Sequence, residues 1–297
     1  MTQLTDDSAV ARRQRAWRLS PEVKAFLRNP AGMLGLLLLL AVVVMAVLAP
    51  FIYPDDPLDM VAQPFLWPGQ DPQFPLGTDS LGRDVAAGIV HGSQVSLQIG
   101  FLAVLVSLLI GTLVGALAGY FGGRVDDILV HITELFQTFP TFLLVVVLVA
   151  IGQPSVGLIS AAIGFASWPT IARLVRAEFR SLRESDFVLA ARSQGFSSLR
   201  IIFQEMLPNA LPSIIVTTSV MVASAILIES ALSFLGFGDP NRVSWGSMIG
   251  AGRESLRTAW FLTALPGAAL VLTVLALNLV GDALNDALNP RLRGRTS

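Results

Sequence analysis

Apolar residues run through this chain in long blocks rather than at the alternating period of strands, and the blocks end at charges or prolines. A helix needs about 20 mostly apolar residues to cross the hydrocarbon core of a bilayer. Residues 33–52, inside an uncharged run from 29 to 54, meet that length and predict a first span. The run follows 28 residues of polar tail and ends in Ala-Pro-Phe-Ile without a cleavage site, so it is expected to remain as an anchor rather than be removed as a signal peptide. Residues 95–119 predict a second span. From 135 to 172 there are 38 residues without a formal charge, roughly 57 Å as one helix, which is too long for one crossing. Gly152-Gln153-Pro154-Ser155 breaks that run and makes it a hairpin, with spans over 132–151 and 156–174. Spans five and six are predicted at 211–235 and 260–283. An even number of crossings puts both ends on one side.

Composition agrees with the blocks. Hydrophobic residues make up 53% of the 297 and charged ones 14%, against roughly 25% charged in soluble domains. There is no cysteine, which excludes disulfides, thiolate zinc sites and cysteine nucleophiles. No solvated basic face of the kind a nucleic-acid reader uses is present. Charge also gives orientation. Of 20 Lys and Arg, 16 fall on one side: Arg12, Arg13, Arg15, Arg18, Lys24 and Arg28 before the first span, Arg124 after the second, Arg173, Arg176, Arg180, Arg183, Arg192 and Arg200 between the fourth and fifth, and Arg291, Arg293 and Arg295 at the end. The opposite side has Arg83, Arg242, Arg253 and Arg257. Cytoplasmic loops carry the excess of Lys and Arg, so both ends are expected in the cytoplasm of a cell (inner) membrane protein.

Three exposed segments carry further pattern. The external loop from 53 to 94 passes through Pro64, Pro68, Pro72 and Pro75, and Thr78, Asp79 and Ser80 predict caps of a short interfacial helix. It reads as a cap over the bundle or as a docking surface for an external partner. The internal segment 176–208 has Phe187, Val188, Ala191, Phe196, Leu199, Ile202 and Phe203 at mixed three- and four-residue spacing, with Gly195 between two such runs. That predicts two short amphipathic helices joined by a turn, lying on the inner leaflet or offering Ala190 and Ala191 to another protein. In the external segment 236–259, Trp245, like the adjoining Trp260, is expected in the interfacial belt or in a folded cap at the outer mouth.

Several stretches together resemble the permeases of ABC importers. Residues 187–208 are similar to their cytoplasmic Glu-Ala-Ala loop, with Ala190, Ala191, Gly195, Ile201, Leu207 and Pro208 matching and Leu189 where the family has glutamate. Leu-Gly-Thr-Asp-Ser-Leu-Gly-Arg-Asp (76–84), Ala-Gly-Tyr-Phe-Gly-Gly-Arg-Val-Asp (118–126), Glu-Ser-Ala-Leu-Ser-Phe-Leu-Gly-Phe-Gly (229–238), Ser-Trp-Gly (244–246) and Asp-Ala-Leu-Asn-Pro-Arg-Leu-Arg (286–293) resemble the dipeptide and oligopeptide branch, in its C-type subunit. The resemblance implies an all-α, six-helix type I importer permease. Its parts are a cytoplasmic basic tail (1–28), a first helix with the Pro-rich external loop (29–94), a five-helix core (95–286) carrying the coupling loop 176–208, and a cytoplasmic tail (287–297). It further implies a second homologous permease as partner, two cytoplasmic ATPase subunits holding ATP and Mg, and an external solute-binding protein. The substrate is left open among dipeptides, oligopeptides, nickel, glutathione and sugars.

The residues make the implied mechanism sensible. Ala190, Ala191, Arg192, Gly195, Leu207 and Pro208 would form the lever that engages the ATPase, with Arg192 or Arg200 pairing acidic groups on it. The chain has no Gly-x-x-x-x-Gly-Lys stretch, so it is expected to be a transport subunit, not an enzyme, with no cofactor or metal of its own. Gly111, Gly115 and Gly119 form a stripe at four-residue spacing, a pattern that lets helices meet backbone to backbone in lipid. Glu229 is the one carboxylate deep in a span, a candidate for the gate or pathway. It is expected to be structural, bonded to neighbouring backbone or to the partner permease. An ATPase-independent secondary transporter or channel is the competing class, but coupling to protons or sodium usually needs several intramembrane ionisable groups. A rhomboid-type protease would need a serine–histidine pair at matching depth, and His91 and His131 lie outside the span cores.

Overall fold

The computed structural model describes residues 21–288. The expectations on residues 1–20 and 289–297, including the tail arginines, lie outside the described residues. Within them the chain is helical, with two isolated bridges (Asp71 with Phe74, Thr78 with Asp84) and no longer strand. α1 (Pro21–Leu27) leads into the first span, α2 (Pro30–Ile52). Asn29 caps α2 by accepting from Gly32 N at 3.0 Å, and Pro30 takes the first helical position, where its missing N–H costs nothing. Pro50 removes the donor that would have bonded the Ala46 carbonyl. Gln94 Nε2 donates to that carbonyl at 2.7 Å, which ties the first span to the second.

α3 (Val85–Phe121) has 37 residues, about 55 Å at the helical rise, and starts ten residues before the predicted span. The separate short helix expected near Thr78 does not form. Asp84 caps α3 itself, accepting from Ala86 N at 2.8 Å. Thr78, Asp79 and Ser80 lie in a loop without a ladder, where side-chain oxygens must satisfy the backbone. Buried Thr78 Oγ1 accepts from Leu66 N and donates to the Gln63 carbonyl, and Asp79 Oδ1 accepts from Leu81 N and Arg83 N. The Pro-rich loop is therefore folded, and Trp67 stacks at 5.3 Å on Phe261.

The third span also differs from expectation. Instead of one helix over 132–151, α4 (Gly123–Gln137) and α5 (Thr141–Ile151) meet at 79°. Pro140 has no N–H and disfavours helical backbone at Phe139, so the turn cannot continue. With 11 residues, α5 covers about 17 Å, short of a crossing. After it come α6 (Val156–Arg183), α7 (Asp186–Ser193), α8 (Ser198–Phe234), α9 (Trp245–Gly252) and α10 (Phe261–Leu288). Five helices (α2, α3, α6, α8, α10) are long and apolar enough to cross a membrane, and the bent pair would make a sixth if its two helices form one broken span rather than a re-entrant loop.

The tightest seam joins α3 to α6. A Cβ on Gly111 would stand 2.6 Å from Ile171 Cβ, one on Gly115 2.5 Å from the Ala172 carbonyl, and one on Gly119 2.5 Å from Phe179 Cβ. From the other side, a Cβ on Gly164 would come within 2.6 Å of Val106. Lipid tails are as apolar as leucine, so close van der Waals contact is what holds such helices together.

Candidate functional site

At the arginine-rich end α6 turns into α7, and α7 into α8. Gly195 ends α7 with φ +77°, a left-handed conformation that glycine adopts without a Cβ penalty. Gly195 N donates to the Arg192 carbonyl at 2.9 Å and Phe196 N to the Ala191 carbonyl at 3.2 Å, the paired closure of a Schellman motif. Ser197 then caps α8, which runs unbroken for 37 residues through the fifth span. Leu207 and Pro208, expected to end the loop, lie inside this helix. Pro208 offers no N–H, and the turn before it widens to a π-helix over Ile201–Met206.

Val188, Ala191, Ile201, Ile202 and Met206 are buried together with Phe179 and Tyr120. This small core turns Ala191 inward, so of the two alanines only Ala190 is exposed. The outer surface of the turn is made by Phe187, Leu189, Ala190, Arg192, Gln194 and Gly195. Arg192 sits 5.1 Å from the centre of the Tyr120 ring, and Arg200 lies over Phe196. Both cations thus have aromatic partners within the chain. Sequence reasoning missed one link here. Arg176 clamps Asp126 with both ends of its fork, Nη2 to Oδ2 at 2.8 Å, joining α6 to α4. A count of arginines by side gives no pairing across 50 residues of sequence.

At the proline-rich end Glu229 is fully buried on α8. Ser233 Oγ donates to its Oε1 at 2.7 Å, while Ser230 and Ser96 hydroxyls approach Oε2 at 3.4 and 3.5 Å. Within the chain its hydrogen-bond partners are therefore hydroxyls rather than backbone groups. Ser96 belongs to α3, so the carboxylate links two spans. α9 packs on the same place: a Cβ on Gly246 would lie 2.5 Å from Ser230 Cα. Trp245 is buried and donates its indole N–H to the Ile89 carbonyl at 3.0 Å, which takes it out of the interfacial belt. Trp260 stays 56% exposed. His91 Nε2 pairs with the Tyr53 carbonyl at 2.8 Å and His131 Nδ1 with that of Asp127, neither beside a serine hydroxyl. Among the described residues no three His, Asp or Glu side chains gather as a metal site would require. The arrangement offers a presented surface at one end, a locked hydroxyl–carboxylate cluster at the other, and a glycine seam between.

Comparison with known proteins fits this layout. Residues 111–294 match the model of the binding-protein-dependent transport system inner membrane component, and residues 12–73 match the N-terminal TM domain of oligopeptide transport permease C. The chain is similar to the dipeptide transport system permease protein DppC of Haemophilus influenzae, 35% identical over 90% of this chain and 93% of the relative. It is 38% identical to the di/tripeptide transport system permease protein DppC of Pseudomonas aeruginosa, over 91% of each chain. With the oligopeptide transport system permease protein OppC of Escherichia coli K12 the identity is also 38%, over 91% of this chain and 90% of that one. In fold it is similar to an inward-facing structure of the MetNI methionine ABC transporter, with TM-score 0.57 and 18% identity over 68% of this chain and 96% of that chain.

Proposed function

This chain belongs to the family of binding-protein-dependent transport system inner membrane components, in its oligopeptide permease C branch, and from that premise we infer that it forms one half of the membrane pathway of an ATP-driven importer of di- or oligopeptides. Its partners on this reading are a second, homologous permease, two cytoplasmic ATPase subunits that bind ATP and Mg, and a solute-binding protein outside. The arginine-rich end faces the cytoplasm, following the Lys and Arg asymmetry.

One observation carries the reading: α7 stands outside the spans with an exposed face, held by the Gly195 closure to a helix that continues unbroken into the fifth span. A push on α7 is thereby delivered to a rod about 55 Å long. The glycine seam holds α3 to α6, so those spans move as one body, and the Glu229 cluster fixes the outer ends of α3 and α8. ATP-driven closure of the ATPases favours one arrangement of these bodies over the other, and access alternates through that differential binding. Ala190, Arg192 and Gly195 form the contact surface, Leu207 and Pro208 belong to the rod, and Glu229 is a structural lock at the outer gate.

The test is Ala190→Trp in the complete complex reconstituted in liposomes. A bulky ring on an exposed position leaves the fold intact and blocks close approach of a partner. Peptide uptake per ATP hydrolysed is expected to fall by about tenfold or more, the equivalent of losing one or two good interfacial contacts. Uptake at the wild-type ratio would remove α7 from the coupling path.

A further inference from the structure

Between α3, α6 and α8 lies a cavity of about 240 Å³ that none of the features above uses. Its polar lining is hydroxyl throughout: Ser107 from α3, Ser167 and Thr170 from α6, Thr217 and Ser224 from α8. No charged side chain lines it. Ser107 and Ser167 stand roughly 15–20 Å from the nearer ends of their helices, and Thr217 and Ser224 about 15 Å from the two ends of 207–234, which puts the cavity near the middle of the hydrocarbon layer. Ser107 is fully buried, and its hydroxyl has no hydrogen-bond partner. A serine within a helix ordinarily bonds a carbonyl one turn back, as Ser160 and Thr273 do here. An unpaired buried hydroxyl is a desolvation cost with nothing to offset it.

The cavity differs sharply from its neighbour. A larger groove between α3 and α8 is lined by Leu105, Leu109, Leu113, Leu211 and Ile215, an almost wholly apolar surface. The same two helices thus present an apolar side and a hydroxyl side at one depth. Polar groups within a membrane face the bundle interior or a water-filled path.

We propose that the hydroxyl cavity is a translocation subsite for the uncharged main-chain amides of a peptide, a proposal that rests on the importer reading above. A hydroxyl rotates to donate to a carbonyl or accept from an N–H, so it serves every residue of an extended backbone equally. The lining holds no charge that would retain or repel ionic side chains, so peptides of differing side-chain charge pass the same point. Carboxylate or imidazole ligands for a metal ion are absent from the lining.

Because the chain has no cysteine, Ser224→Cys, at an exposed position of the same lining, places one thiol in it. In the reconstituted complex, a small water-soluble methanethiosulfonate is expected to label that thiol, resolved by chain mass. Saturating peptide-loaded binding protein with ATP should slow the labelling. Labelling that never occurs, or that peptide does not slow, overturns the proposal. A second measurement is peptide turnover by the triple variant Ser107→Ala, Thr217→Val, Ser224→Ala, with assembly and melting temperature as controls. A fall of about tenfold is expected, as for one or two hydrogen bonds lost in passage, equally for acidic and basic peptides. Unchanged turnover overturns the subsite while leaving the importer standing. Failure of the wild-type complex to import any peptide would instead overturn the importer reading itself.

Discussion

Glu229 shows how one buried side chain can tie separate helices together. Its carboxylate gathers hydroxyls from α3 and from its own helix, and the adjoining α9 closes over them through Gly246. Removing the acceptor leaves buried donors unpaired, which costs about 1–3 kcal/mol per group. Glu229→Ala is therefore expected to destabilise the purified complex by about 2–4 kcal/mol, read as a lower melting temperature. Glu229→Gln keeps an acceptor for Ser233 and should retain most of both stability and uptake. Complete loss of uptake by the Gln variant with normal assembly would make Glu229 a pathway residue instead. Gly195 behaves differently, because nothing lies near its missing Cβ and only its backbone conformation matters. Gly195→Val is expected to cost about 1–2 kcal/mol, paid locally by fraying of α7. Uncoupling of hydrolysis from uptake with the spans still inserted is the outcome to look for, and normal coupling would count against the closure as a transmitting joint.

Among the elements, the α3–α6 seam is the part least able to absorb change. Gly115→Val would drive a side chain into the Ala172 carbonyl and Val175, and overpacking of this kind costs about 3 kcal/mol or more. Loss of the folded chain from the membrane is expected. Gly157→Ala in the same α6 meets open space, so its effect should stay within about 1 kcal/mol and in the stabilising direction. Equal behaviour of the two variants would contradict the seam. The glycine stripe was legible in the sequence because four-residue spacing in an apolar helix has few other uses. Five of the six predicted spans were legible for the same kind of reason, since block length alone decides them. The bend at Pro140 was not, because an uncharged run gives no local sign of where a proline will turn a helix sharply. Nor was the inward turn of Ala191 or the burial of Trp245, both of which depend on neighbours far away in sequence. Asp126 and Arg176 were each visible, but their pairing was not.

The molecule as a whole is a bundle with two unlike ends. One end carries a folded proline-rich cap and the Glu229 cluster, the other an arginine-rich surface with α7 exposed. The orientation proposed from charge is simple to check in a chain without cysteine. Gln73→Cys should react with a membrane-impermeant maleimide in intact cells, whereas Ser193→Cys should react only after the membrane is opened. The reverse pattern would invert the topology and leave α7 out of reach of any cytoplasmic ATPase. The central claim is that this chain works only as part of an ATP-driven assembly. The most direct measurement is gentle purification of the tagged chain from its native membrane, reconstitution of what comes with it, and assay of ATP-dependent peptide uptake. The account predicts ATPase subunits and a second permease in fixed ratio, with uptake that needs both ATP and the binding protein. A chain that purifies alone, stable and monodisperse, and moves peptide without ATP would contradict it.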